Sequence, residues 1–176
     1  MPAYRDLTQA DLELRLFHGF LRRQVVTKCR RRVNGAWTVV DAPFVNDWTE
    51  RDHRALLAQL ARTLRLGGFA RAAFERGAMK GFAAVGAEWF GDGREYLDLT
   101  NLHVSEDARR QGIGRALFLA AARWARDRGA QKLYISAHSA IESQAFYRAM
   151  GCVEAHTYNP AHVAAEPFDC QLEYRL

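Results

Sequence analysis

The sequence predicts a mixed α/β (α+β) fold: a mostly antiparallel central sheet with one parallel pair inside it and helices flanking it. Three observations predict it. Residues 69–74 and 82–90 read as neighbouring strands joined through Arg76-Gly77, and a short connection gives antiparallel pairing. Residues 96–104, 110–128 and 132–136 read as strand, helix and strand, which pair in parallel through a right-handed crossover. Ile113, Leu117, Ala120, Ala121 and Trp124 form one apolar stripe along the helix between them, so that helix lies on the sheet.

The other elements follow in chain order. Thr8 reads as the cap of a first helix with Asp11 in its first turn; Leu12, Leu16, Phe17 and Phe20 continue at helical spacing. Residues 29–33 and 36–40 flank Asn34-Gly35, which supplies the positive φ angles of a tight hairpin turn. Thr49 opens a second helix through Leu56, Leu57, Leu60 and Leu64, closed by Gly67-Gly68. Residues 141–150 read as a short helix ended by Gly151, and 152–158 and 168–174 as closing strands. No repeat or Pro/Ser-rich linker divides the chain, and 176 residues suit one domain spanning 1–176 with a sizeable core.

Composition narrows the function classes. Hydrophobic residues make up 49 % and aromatics 11 %, which argues against intrinsic disorder. The longest apolar runs, such as 116–122, are too short to span a bilayer, and no membrane partner is expected. Met1-Pro2-Ala3-Tyr4-Arg5-Asp6 lacks the apolar core of a signal peptide, so a cytoplasmic location is the expectation. Three cysteines, Cys29, Cys152 and Cys170, are too scattered for a disulfide framework. Cys152 and Cys170 lie near His156 and His162, but the spacing matches no compact zinc pattern, and no metal is expected. The formal net charge of +5 is concentrated: residues 1–35 hold eight Lys/Arg against three acids, which accounts for the whole excess. Such a segment could meet a polyanion, yet no aromatics interleave Arg30-Arg31-Arg32 as a single-strand binder would require. A solvated helix and hairpin face is the preferred reading, and nucleic acid is disfavoured as a partner.

The chemistry concentrates in 96–116. Apolar residues of the strand fall at Leu97 and Leu99, then at Leu102 and Val104, so the parity flips at Thr100-Asn101. A β-bulge produces that slip and splays the strand from its neighbour; a strand buried on both faces would also show it. Next comes Arg109-Arg110-Gln111-Gly112-Ile113-Gly114-Arg115-Ala116, two glycines and three arginines at a helix start. Free backbone N–H groups and the helix dipole make this a plausible pyrophosphate cradle. It is neither the dinucleotide fingerprint nor a P-loop, lacking a third glycine and a Gly-Lys-Ser/Thr.

Together these residues resemble the GNAT superfamily of N-acetyltransferases. Its hallmark Arg/Gln-x-x-Gly-x-Gly/Ala after a bulged strand is matched by Arg109-x-x-Gly112-x-Gly114, preceded by Leu102-His103-Val104. Ala145-Phe146-Tyr147-Arg148-Ala149-Met150-Gly151-Cys152 resembles its second motif, an aromatic-Tyr pair followed by Gly-Phe. The resemblance covers about residues 68–158. It implies the GNAT sheet with a splayed parallel pair, a cofactor-binding core at 68–158, and N-terminal helices and hairpin at 1–66 that shape the acceptor side. It further implies acetyl-CoA as cosubstrate, with Leu102, His103 and Val104 along the pantetheine arm and an amide near Val104 polarising the thioester. Arg109 opens the motif; amides of Arg110, Gln111, Gly112, Ile113, Gly114, Arg115 and Ala116 would hold the pyrophosphate. Tyr147 would protonate the departing thiolate. The chain departs from the pattern twice: the frequent asparagine ahead of the aromatic-Tyr pair is absent, and Cys152 replaces the usual Phe.

An amine attacks a thioester only when unprotonated, so a base is useful at neutral pH. The resemblance directs attention to a carboxylate on the bulged strand or its neighbour: Asp98 first, Glu88 second. His103 and His138, near strand ends, are further candidates. Ser139-x-x-Glu142 has the form of a capping box, so Glu142 is assigned to structure. Glu88, Asp92, Glu95 and Asp98 would suit a cationic amine, small or on a protein. The expected activity is direct attack of a primary amine on acetyl-CoA, since no Ser–His or Cys–His nucleophile motif occurs. Two rivals remain: a catalytically silent acyl-CoA-binding module, and nucleic-acid binding through Arg22–Arg32. A homodimer stays open.

Overall fold

Burial on both faces explains why the centre of the molecule is a sheet. The computed structural model describes residues 1–176. Strands β1 (Ala3–Asp6), β4 (Phe69–Glu75), β5 (Ala78–Val85), β6 (Tyr96–Val104), β7 (Lys132–Ala137), β8 (Val153–Glu154) and β9 (Cys170–Arg175) form one seven-stranded sheet, ordered β1-β4-β5-β6-β7-β9-β8. All pairings are antiparallel except β6 with β7. The mixed sheet expected from the sequence is therefore present. Strands β2 (Gln24–Val33) and β3 (Ala36–Asn46) form a separate two-stranded hairpin. Its turn is the expected one, with Asn34 at φ 50° and Gly35 at φ 82°.

Helix α2 (Ile113–Asp127) covers one sheet face, burying Ile113, Leu117, Phe118, Ala121 and Ala125 against Leu97, Leu99 and Leu133. Helix α1 (Glu50–Arg65) covers the other, with Leu56 and Leu60 packed among Phe17, Phe20 and Phe82. Thr49 caps α1 as expected, accepting from Asp52 N while Asp52 Oδ2 accepts from Thr49 N at 2.7 Å. Contact between α2 and the sheet is closest at Gly81, where an added Cβ would lie 2.8 Å from Ile113 Cγ2 and 3.1 Å from the His103 carbonyl. Gly81→Ala should accordingly cost about 1–3 kcal/mol by overpacking. Urea unfolding checks this; an unchanged midpoint would mean that α2 shifts freely on β5. No helix is long and apolar enough to cross a membrane.

Several segments differ from expectation. Residues 7–20 form two 3-10 turns, Gln9–Asp11 and Leu14–Phe17, rather than one helix. Asp11 does accept from Thr8 N at 2.8 Å, but Glu13 is extended (φ −122°, ψ 159°) and breaks the run. Leu16, Phe17 and Phe20 are buried regardless, because one i+3 turn presents them to the core. Strand β5 occupies 78–85 rather than 82–90: Gly86 N still donates to Asp98 O on β6 at 2.9 Å, and residues 87–89 lie outside the ladder. The expected strand 152–158 is only Val153–Glu154; Asn159 then caps α4 (Pro160–Ala165), with Pro160 in its first turn. The capping box at Ser139 does not form. Helix α3 (Ile141–Ala149) starts after Ala140, and the Ser139 hydroxyl accepts from Arg31 instead.

Candidate active site

The site begins with the bulge. Ala84 pairs with Asn101 and Val85 with Leu99, so Thr100 is the extra residue; its hydroxyl donates to Ala84 O at 3.2 Å. Strand β6 pairs with β7 only from Tyr96 to Asp98, after which β7 follows β9 and β6 follows β5. A wedge-shaped slot opens between 99–104 of β6 and 135–137 of β7, with Asp98 at its apex. Leu97, Leu99, Leu102 and Val104 face α2, which accounts for the parity flip. Asp98 and His103 lie on the opposite face, where His103 meets Phe82 and Trp48 at 5.3 and 4.7 Å.

At the open end of the slot, Arg110 (φ 62°) and Gly112 (φ 81°) both adopt left-handed backbone just before α2. That geometry turns successive N–H groups toward one side, as an anion requires. Gly112 is the helix cap and no side chain caps α2. The amides of Ile113, Gly114 and Arg115 precede the helical ladder, whose first bond runs from Ala116 N to Gly112 O at 3.0 Å. Ala116 thus donates within the helix. Gly112 faces open space, with nothing within 4 Å of an added Cβ, whereas one at Gly114 would touch Phe146 at 3.4 Å. The side chain of Arg109 does not join the cradle; it donates to Arg23 O at 2.6 Å and Val104 O at 3.4 Å, tying the N-terminal segment to the end of β6. Gln111 donates to Asp107 O at 3.3 Å. These groups fit an acyl-CoA: free amides for its pyrophosphate and an unpartnered strand edge for its amide-bearing arm.

Tyr147 stands on α3 against Phe118 and Phe146, at ring distances of 6.3 and 5.2 Å. Burial, aided by Cys152 and Asp169 nearby, raises its pKa, so the phenol stays protonated at neutral pH. Asp98 Oδ2 lies 2.5 Å from His162 Nε2, while Asp98 Oδ1 is buried with no partner. The hydrogen bond to Asp98 raises the His162 pKa against the effect of burial. In the sequence His162 stands out only for its nearness to Cys152 and Cys170. It arrives here because α4 lies over β7, its ring 5.6 Å from that of Tyr134. Asn159-Pro160, a cap followed by a first-turn proline, is the signal that marks this helix.

The other candidate bases sit in different settings. Burial first, then the positive charge of Arg22, pushes the His103 pKa down to about 3, too weak a base for an ammonium proton. His138 accepts from Ala140 N through Nδ1 at 3.1 Å, and burial with Arg22 and Arg31 lowers its pKa. Glu88 is exposed and paired with Arg62 at 3.3 Å. Together with Asp92 and Glu95 it belongs to the connection before β6, at the closed end of the slot. Of the four acids noted in the sequence, Asp98 is the one at the apex.

Several solved acetyltransferases share this architecture. A nourseothricin acetyltransferase superposes with a TM-score of 0.68 at 18 % identity, covering 98 % of this chain and 95 % of that one. A protein assigned as a streptothricin acetyltransferase from Bacillus anthracis str. Ames, solved with acetyl coenzyme A, gives 0.72 at 14 % identity, covering 100 % and 99 %. The PaiA N-acetyltransferase of Thermoplasma acidophilum, solved with coenzyme A, gives 0.61 at 13 %, covering 100 % and 99 %. At such identities the likeness establishes the fold. No curated protein sequence matches the chain. The sequence model of the acetyltransferase (GNAT) family matches residues 33–152, from the hairpin turn through the segment after α3. That span is well over half of the chain, which therefore belongs to the GNAT family and is an acyl-CoA-dependent N-acetyltransferase.

Proposed function

We propose that this protein transfers an acetyl group from acetyl-CoA to a primary amine by direct attack. The observation that carries the reading is the slot itself, with an anion cradle at one end and a half-buried carboxylate–imidazole pair at its apex. Backbone amides of Arg110 to Arg115 hold the pyrophosphate, and the free edge of Leu102, His103 and Val104 receives the pantetheine arm. The segment 1–66 and α4 border the acceptor face. The Asp98–His162 pair takes the proton of the incoming ammonium: ionised Asp98 keeps His162 in the tautomer with hydrogen on Nε2, leaving Nδ1 as acceptor. The amine nitrogen then bonds to the thioester carbon and the C–S bond breaks; Tyr147 gives its phenolic proton to the departing thiolate, and the proton left on the new amide nitrogen restores the phenol by way of solvent.

The cradle is tested first. Gly112→Glu should weaken acetyl-CoA binding at least about 100-fold in calorimetry, because a carboxylate would stand where the pyrophosphate charge belongs. The left-handed φ of 81° adds strain of about 1–2 kcal/mol, so folding is monitored in parallel. Undiminished affinity in the folded variant would place the pyrophosphate elsewhere.

A further inference from the structure

Most cations of the basic N-terminal segment have a local acid. Arg5 pairs with Asp11, Arg15 with Glu13, Arg23 with Glu106, Lys28 with Asp41 and Arg32 with Glu154. Arg22 has no carboxylate within salt-bridge range. Its contacts are Gln24 Oε1, 3.3 Å from Nη1, and the face of Trp48, 5.1 Å from the guanidinium carbon. Its Nε is buried and bonded to nothing. The guanidinium is half-buried and the charge of Asp47 reaches it only from beyond salt-bridge range, so an anion at hydrogen-bond distance would find an open partner here. Leu21 N donates to Ser105 Oγ at 2.9 Å, Glu106 N donates to Leu21 O at 2.8 Å, and Arg109 clasps Arg23 O. The backbone is thus fastened on both sides of Arg22.

The place is as informative as the missing partner. Trp48, beneath the guanidinium, meets His103 of β6 at 4.7 Å, on the face of the strand that carries Asp98. The charge of Arg22, after burial, lowers the pKa of both His103 on β6 and His138 just beyond β7, so it stands near the ends of the two strands that form the slot. Burial and then the charge of Arg109, against the pull of Asp47, lower its pKa only to about 10, which leaves a full cation at neutral pH. Asp98 and His162 mark the other end of that face.

We propose that Arg22 is the anion-binding element of the acceptor site and that the acceptor is a small amino-carboxylate, its amine toward Asp98–His162 and its carboxylate on Arg22. This rests on the proposed function. A planar guanidinium already stacked on an aromatic ring is preorganised for a carboxylate in a way a lysine is not. The same charge could meet a phosphate of the acyl-CoA instead, and the test separates the two sources.

The experiment compares matched acceptors with and without the carboxylate: glycine and methylamine, γ-aminobutyrate and propylamine, lysine and cadaverine. Release of the CoA thiol is followed for wild type, Arg22→Met and Arg22→Lys, beside calorimetric titration with acetyl-CoA. Wild type should favour the carboxylate member of at least one pair. Arg22→Met should lower kcat/KM for that member by about 10- to 100-fold, as expected for a lost charged hydrogen bond, and leave its partner unchanged. Arg22→Lys should recover part of the loss. Equal preference within every pair that turns over, or an equal loss for both members, overturns the proposal. So does weakened acetyl-CoA binding in Arg22→Met, which would assign the anion to the cosubstrate. Normal acetyl-CoA binding with no turnover of any member removes small amino-carboxylates as acceptors and leaves acetyl transfer intact; failure of the wild type to bind acetyl-CoA would strike the proposed function itself.

Discussion

Asp98→Asn should lower kcat for acetyl transfer by about 10²–10⁴-fold, the usual contribution of a positioned acid–base group, while acetyl-CoA affinity stays within a few-fold. Asparagine keeps the size of the side chain and removes the charge that holds the His162 proton on Nε2. The pH profile distinguishes this role from a packing role. The bond to Asp98 raises the folded-state pKa of His162 above its ordinary 6.5. Wild-type kcat/KM should therefore climb with pH through that raised value, as the pair becomes able to accept a proton. In Asp98→Asn the residual activity should climb at lower pH, because the imidazolium has lost its carboxylate, and His162→Gln should abolish the limb. The stability effect has the opposite sense. A raised histidine pKa stabilises the fold fully below about 6.5, and that contribution is lost as pH rises through the folded value. An unmoved limb in Asp98→Asn would remove the pair from proton transfer.

Tyr147→Phe should lower kcat by about 10²-fold or more with acetyl-CoA binding retained, since only the hydroxyl is lost from a ring that packs on Phe118. Burial raises the tyrosine pKa, so the acid form persists across the working pH range and this side contributes no falling limb near neutrality. A loss confined to KM, or no loss, would return Tyr147 to the core. A second consequence concerns the leaving group. Replacing acetyl-CoA with a thioester of a more acidic thiol should narrow the gap between wild type and variant, because a better leaving group has less need of a proton.

The fold and half of the site were legible in the sequence because their signals are local. The parity break at Thr100-Asn101 located the bulge, and the parallel reading of 96–104 with 132–136 located the slot. Gly112 and Gly114 before an amphipathic stripe located the start of α2 to within a few residues. Asn34-Gly35 marked the hairpin turn. Each rests on a backbone preference or a side-chain period spelled out within about twenty residues. Short segments were the harder ones. The first helix is two 3-10 turns, β1 and α4 go unseen, and the strand expected at 152–158 is only Val153–Glu154. Elements of three to six residues carry too little periodicity to outweigh tertiary packing.

What the sequence by itself determined is the order of the longer elements from β2 to α3, the bulged strand and the glycine-rich helix start. Only the tertiary structure decided which side chains face the slot. His162 lies 64 residues beyond Asp98 and meets it because α4 folds over β7. Arg22 lies 81 residues before His103 and reaches it through Trp48 because the N-terminal segment is clasped by Ser105 and Arg109. Glu88, Asp92 and Glu95 looked equivalent to Asp98 on charge alone, and strand register separated them. Sequence spacing encodes hydrogen-bonded local geometry, whereas the meeting of distant charges depends on how whole elements pack.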